Sequence, residues 1–141
     1  MAGYSGTPLV KKLGIQPTFE VGFVNAPKNF VKGLDLPATV IIKSPAKSKY
    51  LDFVLVFVKT QTTLVAAFAQ YSERIKPNGM IWISWPKKSS GVVTDLNENI
   101  VRGIGLAAGL VDVKVCAVDE IWSGLKFVFR LKDRPKLRAK T

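Results

Sequence analysis

The spacing of apolar positions changes repeatedly along this chain, and the changes mark out its elements. Within residues 51–58, Leu-Asp-Phe-Val-Leu-Val-Phe-Val, positions 53–58 are apolar in succession, the pattern of a strand covered on both faces of a parallel sheet. Leu64, Phe68, Tyr71 and Ile75 then recur every three or four residues, which predicts an amphipathic helix over about residues 62–75. Lys76-Pro77-Asn78-Gly79 reads as a turn. Met80-Ile81-Trp82-Ile83-Ser84-Trp85 reads as a second buried strand, ended by Pro86. Strand, helix, turn and strand in this order predict a parallel α/β unit.

The flanks extend the pattern. Thr7-Pro8 and Gly14 bracket a short helix, with a cap residue, a proline in the first turn and a glycine past the end. Phe19, Val21 and Phe23 alternate with Glu20, Gly22 and Val24, a strand broken by Asn25-Ala26-Pro27. A brief helix is expected over residues 28–34, packing Phe30, Val31 and Leu34. A short β-branched strand follows over 39–42, then a polar loop over 44–49. Downstream of Pro86, Lys87-Lys88-Ser89-Ser90-Gly91 reads as a loop. The next helix is expected to start at Thr94 or Asp95, where Asp95 and Glu98 have capping-box spacing. Leu96, Ile100 and Ile104 give its buried face and Gly109 its end. Glycine in a helix interior costs about 1 kcal/mol, so Gly103 and Gly105 are both expected to pack tightly on the sheet. Val111, Val113, Val115 and Ala117 form an alternating strand. After a turn at Asp119-Glu120, a last strand runs from Ile121 to about Leu131, with Leu125, Phe127, Phe129 and Leu131 inward. The two strands are too close in sequence for a crossover, so they form an antiparallel hairpin.

Composition narrows the function classes. With 141 residues, 48% of them hydrophobic, the chain can build one full core. A single α/β domain is expected over 1–131, followed over 132–141 by a basic tail without apolar periodicity, expected to be mobile. No apolar run reaches the ~18–20 residues of a membrane span, and the first residues lack a hydrophobic signal region. A cytoplasmic protein without membrane contact is the expectation. Cys116 has no second cysteine to pair with, which fits a reducing compartment, and its place in a strand suggests an inert thiol. The chain has no histidine. That removes Ser–His and Cys–His nucleophile pairs, histidine bases and the usual zinc sites. No catalytic residue and no metal site is read from the sequence.

The net charge is +11, and residues 126–141, with seven basic residues and one acidic, carry +6 of it. Such a block ordinarily solubilises a chain end; it can also draw nucleic acid or anionic surfaces.

In open α/β sheets ligands sit beyond the carboxyl ends of the strands, where the strand order reverses. Those ends carry Asn25, Lys59, Thr60 and the segment 85–94. Lys87 and Lys88 offer positive charge, and Ser89, Ser90 and Gly91 offer small donors and exposed backbone. A helix starting at Thr94 would aim its positive end at the same edge, and together these suit a phosphate or carboxylate. The spacing is not that of a Walker loop. Trp85 and Pro86 at the strand end, and Trp122 at the hairpin, are candidate pocket walls, while Trp82 reads as core. The plain alternatives are a solvated connection and ordinary indole packing. Asp119 and Glu120 read as a turn, not a catalytic pair.

A parallel sheet closing with a helix and an antiparallel hairpin resembles the class I S-adenosylmethionine-dependent methyltransferases. Tyr50-Leu51-Asp52 through Phe57 looks like their fourth strand, and Lys76-Pro77-Asn78-Gly79 like the turn after their next helix. Residues 80–86 and 110–129 look like their last three strands. The resemblance implies a three-layer, Rossmann-like, mostly parallel sheet ending in an antiparallel hairpin. Where that family has a glycine-rich cofactor loop, this chain has Asn25-Ala26-Pro27. Where it has a carboxylate after the second strand, Lys43-Ser44-Pro45 stands. The cofactor half therefore reads as truncated. Tyr4-Ser-Gly-Thr-Pro-Leu9, Trp85-Pro-Lys-Lys-Ser-Ser-Gly91 and Val113-Lys-Val-Cys-Ala-Val-Asp119 also resemble a small bacterial family of unknown function, over residues 4–130; that likeness implies no activity.

Three readings follow. The leading one is a non-catalytic module that needs no cofactor and holds an anionic partner: a nucleotide, a phosphorylated metabolite or nucleic acid. The rival is an active methyltransferase using S-adenosylmethionine with an atypical loop at Asn25. The third is a structural subunit that docks on a partner protein. Self-association is left open.

Overall fold

The computed structural model describes residues 7–134. Its helices are α1 (Leu9–Leu13), α2 (Gln61–Tyr71) and α3 (Glu98–Ala107). Its strands are β1 (Glu20–Val24), β2 (Ile41–Ile42), β3 (Leu51–Phe57), β4 (Ile75–Pro86), β5 (Leu110–Ala117) and β6 (Trp122–Phe129). The strands form one sheet in the order β2-β1-β3-β4-β6-β5. The first four run parallel, and β6 is antiparallel to both its neighbours. Three layers follow, as the apolar spacing implied.

Residue parity in β3 builds both cores at once. Val54 and Val56 point toward α2 and α3, joining Leu64, Phe68, Val101, Leu125 and Phe127. Phe53, Leu55 and Phe57 point the other way, joining Leu13, Val21, Trp82 and Trp122. A strand covered on both faces must be apolar at every position, and residues 53–57 are at most 2% exposed. On the second face the Trp82 indole donates to the Leu13 carbonyl at 2.9 Å, docking α1.

Several local expectations are revised. Residues 28–34 form turns, not a helix: Asn29 takes a left-handed φ of 67°, and single-turn bonds such as Phe30 N–H to the Pro27 carbonyl replace a helical ladder. Phe30 and Leu34 still pack on the core. α2 ends at Tyr71, and Ile75 belongs to β4. Lys76-Pro77-Asn78-Gly79 bulges within that strand, because Ile75 pairs with Leu51 and Met80 already pairs with Phe53. A Cβ on Gly79 would stand 3.0 Å from the Leu51 and Lys76 carbonyl oxygens, so the bulge needs glycine. Asp52 braces it: one oxygen meets the Lys76 ammonium at 2.9 Å, and the other accepts the Glu20 N–H at 2.8 Å. This carboxylate ties together the starting ends of three strands.

α3 begins at Glu98, capped by Asn97, whose side chain accepts the Ile100 N–H. Gly105 packs as expected; a Cβ there would stand 2.1 Å from the buried Phe127 ring. Gly103 does not, since nothing lies within 4 Å of its Cβ position. Leu131 follows the end of β6 and is 77% exposed, whereas Leu125 and Phe127 are fully buried. Of the expected tail, residues 135–141 lie outside the described residues. Among the described residues, no helix is long and apolar enough to cross a membrane.

Candidate functional site

After β1 the chain crosses to β2 on one side, then returns to β3 on the other. The order reverses there, and the carboxyl ends of β1 and β3 diverge into a cleft of about 450 Å³. Asn25, Pro27, Phe57, Val58, Lys59, Thr63 and Trp122 line it. Each arrives by a local cause. Asn25 ends β1 with φ 57°, a left-handed conformation that asparagine tolerates better than most residues. Phe57 and Val58 finish the central strand, and the Val58 N–H donates to the Ser84 carbonyl at 2.9 Å. Thr60 caps α2 by accepting the Thr63 N–H at 3.1 Å, and its hydroxyl also meets that of Thr63. Trp122 opens β6 and stands edge-on to Phe57, ring centroids 5.0 Å apart. Phe30 meets the same Phe57 ring, also at 5.0 Å.

The lining gives the cleft its chemistry. Aromatic walls suit a flat ring, Asn25 and Thr63 offer hydrogen bonds, and Lys59 is the one charged lining residue among the described residues. Among the described residues, no carboxylate lines the cleft.

The sequence-derived candidates separate into three groups. Asn25, Lys59 and Trp122 come together in the cleft, with Thr60 beside them as the helix cap. Trp85 and Pro86 are buried and do not line it; Trp85 faces the α2 and α3 side, in the core. Trp122 pairs with Pro86, one step beyond Trp85, and one step along a strand reverses the face, so the two tryptophan candidates part company. Lys87, Lys88, Ser89, Ser90, Gly91 and Thr94 form the connection beside the cleft. Residues Lys88–Ser90 make a single 3-10 turn closed by Gly91 at φ 75°. The Ser90 hydroxyl donates to the Lys87 carbonyl at 2.6 Å and accepts the Val92 N–H at 3.1 Å.

Thr94 is not at a helix start. Its hydroxyl donates to the Lys59 carbonyl at 2.6 Å and accepts the Leu96 N–H at 3.1 Å. Asp95 turns to the neighbouring helix, accepting the Gln61 N–H at 2.8 Å. The expected capping box is thus replaced by a cross-link between the start of α2 and the loop before α3. Pro27, Phe57, Val58 and Thr63 were not singled out from sequence. Phe57 and Val58 close a buried strand, which was a usable signal under the rule of strand carboxyl ends.

No family model and no curated protein sequence matches the chain. Solved structures do. A SAM-dependent methyltransferase from Aquifex aeolicus aligns with a TM-score of 0.59 and 14% identity, over 84% of this chain and 86% of that one. A TehB-like SAM-dependent methyltransferase from Corynebacterium glutamicum aligns at 0.56 and 7%, over 86% and 85%. Aeropyrum pernix fibrillarin, in complex with natively bound S-adenosyl-L-methionine, aligns at 0.53 and 10%, over 89% and 70%. The chain has a methyltransferase-like fold. At these identities the likeness concerns the fold alone. The structure also carries the truncation read from sequence: β2 has two residues and is the edge strand beyond β1.

Proposed function

We propose that this chain is a small-molecule-binding domain whose cleft between β1 and β3 takes an adenosyl compound with an anionic end, S-adenosylmethionine foremost. The observation that carries the reading is the cleft itself, which lies at the reversal of strand order where this architecture holds its ligands. Its volume falls in the range of small-molecule sites. The likeness to structures with bound S-adenosylmethionine supports the same choice.

The lining fits such a ligand in part. Phe57 and Trp122 offer ring edges to an adenine, and Asn25 and Lys59 suit a carboxylate. The carboxylate that resemblance would place after the second strand has no counterpart, since Lys43 stands there and ion-pairs with Glu20. S-adenosylmethionine supplies an activated methyl group when bound. The chain's own part is to hold and orient it, and positioning alone can account for much of such a barrier. That role needs no histidine.

Calorimetry with S-adenosylmethionine and with its demethylated product tests this. Both are expected to release or absorb heat at millimolar concentration. Thr63→Arg, which fills the cleft from the exposed first turn of α2, is expected to abolish binding without loss of fold. Thermal silence from both compounds with the wild-type chain would sink the reading.

A second reading is favoured by the positive charge of Lys59 in the cleft. Lys59 is joined through its carbonyl to Thr94, which brings the loop of Lys87, Lys88, Ser89, Ser90 and Gly91 to the cleft's margin. On this reading the partner is a nucleotide, a phosphorylated metabolite or nucleic acid. Binding would weaken with salt and fall in the Lys87→Ala/Lys88→Ala double variant. Unchanged binding in that variant would remove these residues from the site.

A further inference from the structure

Lys114 on β5 and Lys126 on β6 are register partners in the antiparallel ladder, so their side chains leave one face of the sheet from neighbouring positions. A register slip between Asp112 and Lys114 makes this possible. Before the slip, Asp112 faces α3 and pairs with Arg102 at 2.9 Å. After it, Lys114 faces α1, and its ammonium donates to the Lys12 carbonyl at 3.0 Å. The Lys126 ammonium lies 4.0 Å from where a Cβ on Gly14, just past α1, would stand. Burial pushes the Cys116 thiol up, and the charges of Lys114 and Lys12 pull it partly back.

This arrangement works against the sheet unless something neutralises it. Like charges directly opposed on a ladder are unfavourable, and a partly buried ammonium loses hydration as well. Lys126 is half-buried, and its pKa is lowered from the ordinary lysine value, by that burial first and by Lys114 second. Among the described residues, no carboxylate pairs with either ammonium. The ion pairs there are Lys43–Glu20, Lys76–Asp52, Arg102–Glu98 and Arg102–Asp112.

We propose that Lys114 and Lys126 form a binding site for the phosphate group of a small molecule, separate from the cleft at Trp122. A phosphate brings several acceptor oxygens and about two negative charges, enough to bridge adjacent ammonium groups and cancel their repulsion. The half-burial of Lys126 favours a small ligand. A free phosphorylated molecule can reach a half-buried ammonium beside α1, whereas a nucleic-acid duplex or a vesicle presents its phosphates on a broad surface. The site stands apart from the adenosyl reading, so either can fail without the other.

Inorganic pyrophosphate at low salt is the probe, followed by NMR of lysine side chains labelled at Cε. The Lys114 and Lys126 signals are expected to move first and saturate below millimolar concentration. Lys126→Met, which keeps the apolar stem, and Lys114→Gln, which keeps a donor for the Lys12 carbonyl, are each expected to weaken binding at least tenfold. Lys47→Ala/Lys49→Ala, exposed in the segment before β3, is expected to bind as the wild type does. If either lysine variant fails to fold, the wild-type signals still decide the matter. Lys114 and Lys126 signals that stay fixed, or that move only together with Lys47 and Lys49, would overturn the proposal. So would a response to duplex DNA or anionic vesicles without one to pyrophosphate.

Discussion

The two faces of the sheet are covered by different means. On one, α2 and α3 lie across β3, β4 and β6 and interlock with them. Gly105 lets α3 down onto Phe127, whose ring meets Phe68 edge-on at 5.1 Å. On the other, α1 has only five residues, and residues 25–40 supply turns. There the space is filled by rings: Phe23, Phe30, Phe53, Phe57 and Trp122 meet one another at centroid distances of 5.0–6.4 Å. Regular elements pack ridge against surface and demand small residues at the closest approach. Irregular chain has no ridges, so large rings that bury much area each do the same work.

The margins differ accordingly. The ring-filled face opens into the polar cleft with Asn25 and Lys59. The helical face leaves an apolar groove between α2 and α3, lined by Val65, Phe68, Ile104 and Ala107 among others.

The comparison can be broken by substitution. Trp82 is fully buried on the irregular face and holds α1 through Leu13. Trp82→Ala should destabilise by about 3–5 kcal/mol, measured by urea unfolding. Trp82→Phe should lose roughly 1–2 kcal/mol, mainly by orphaning the Leu13 carbonyl. A near-neutral Trp82→Ala would mean that the irregular cover adds little.

On the helical face, Gly105→Ala should cost about 1–3 kcal/mol by forcing Phe127 out of place. Gly103→Ala, two residues away with open space above it, should instead stabilise by about 0.5–1 kcal/mol. Two effects of the same sign would refute the claim that one close approach sets how α3 sits.

The smallest effect concerns how α3 is tethered to β5. The Arg102 guanidinium holds the Asp112 carboxyl below its ordinary pKa of 3.8. A carboxyl with a lowered folded-state pKa stabilises the fold above the unfolded value and loses that contribution as pH falls through the folded one. The stability gap between wild type and Asp112→Asn should therefore be full at neutral pH and shrink below about pH 4. A gap constant across that range, followed by thermal unfolding, would show that the ion pair does not matter to the fold.

How much could be read beforehand differs between these faces for the same reason. The central strand 53–57, the stripe of α2 and the final hairpin were legible, because an apolar period repeated over many residues has one regular solution. Phe30, Val31 and Leu34 have helical spacing too, but over a single turn, where Asn29 in a left-handed conformation satisfies the same burial without a helix. Lys76-Pro77-Asn78-Gly79 carries turn chemistry, yet pairing of Ile75 with Leu51 draws it into β4 as a bulge. Asp95 is a sound cap by composition; it accepts the first N–H of α2, at Gln61, instead of capping α3, because loop closure brings Gln61 within reach.

The cleft divides in the same way. That Asn25, Lys59 and Trp122 belong near one another followed from strand ends, whereas Phe57 and Thr63 entered through packing and Trp85 was excluded by parity. Order along the chain dictates which residues are buried and in what kind of element, since both depend on neighbours a few positions away. Which side chain meets which across elements rests on register and closure, distances set by the assembled sheet. The Lys114–Lys126 juxtaposition, created by one slipped position in β5, is of that second kind.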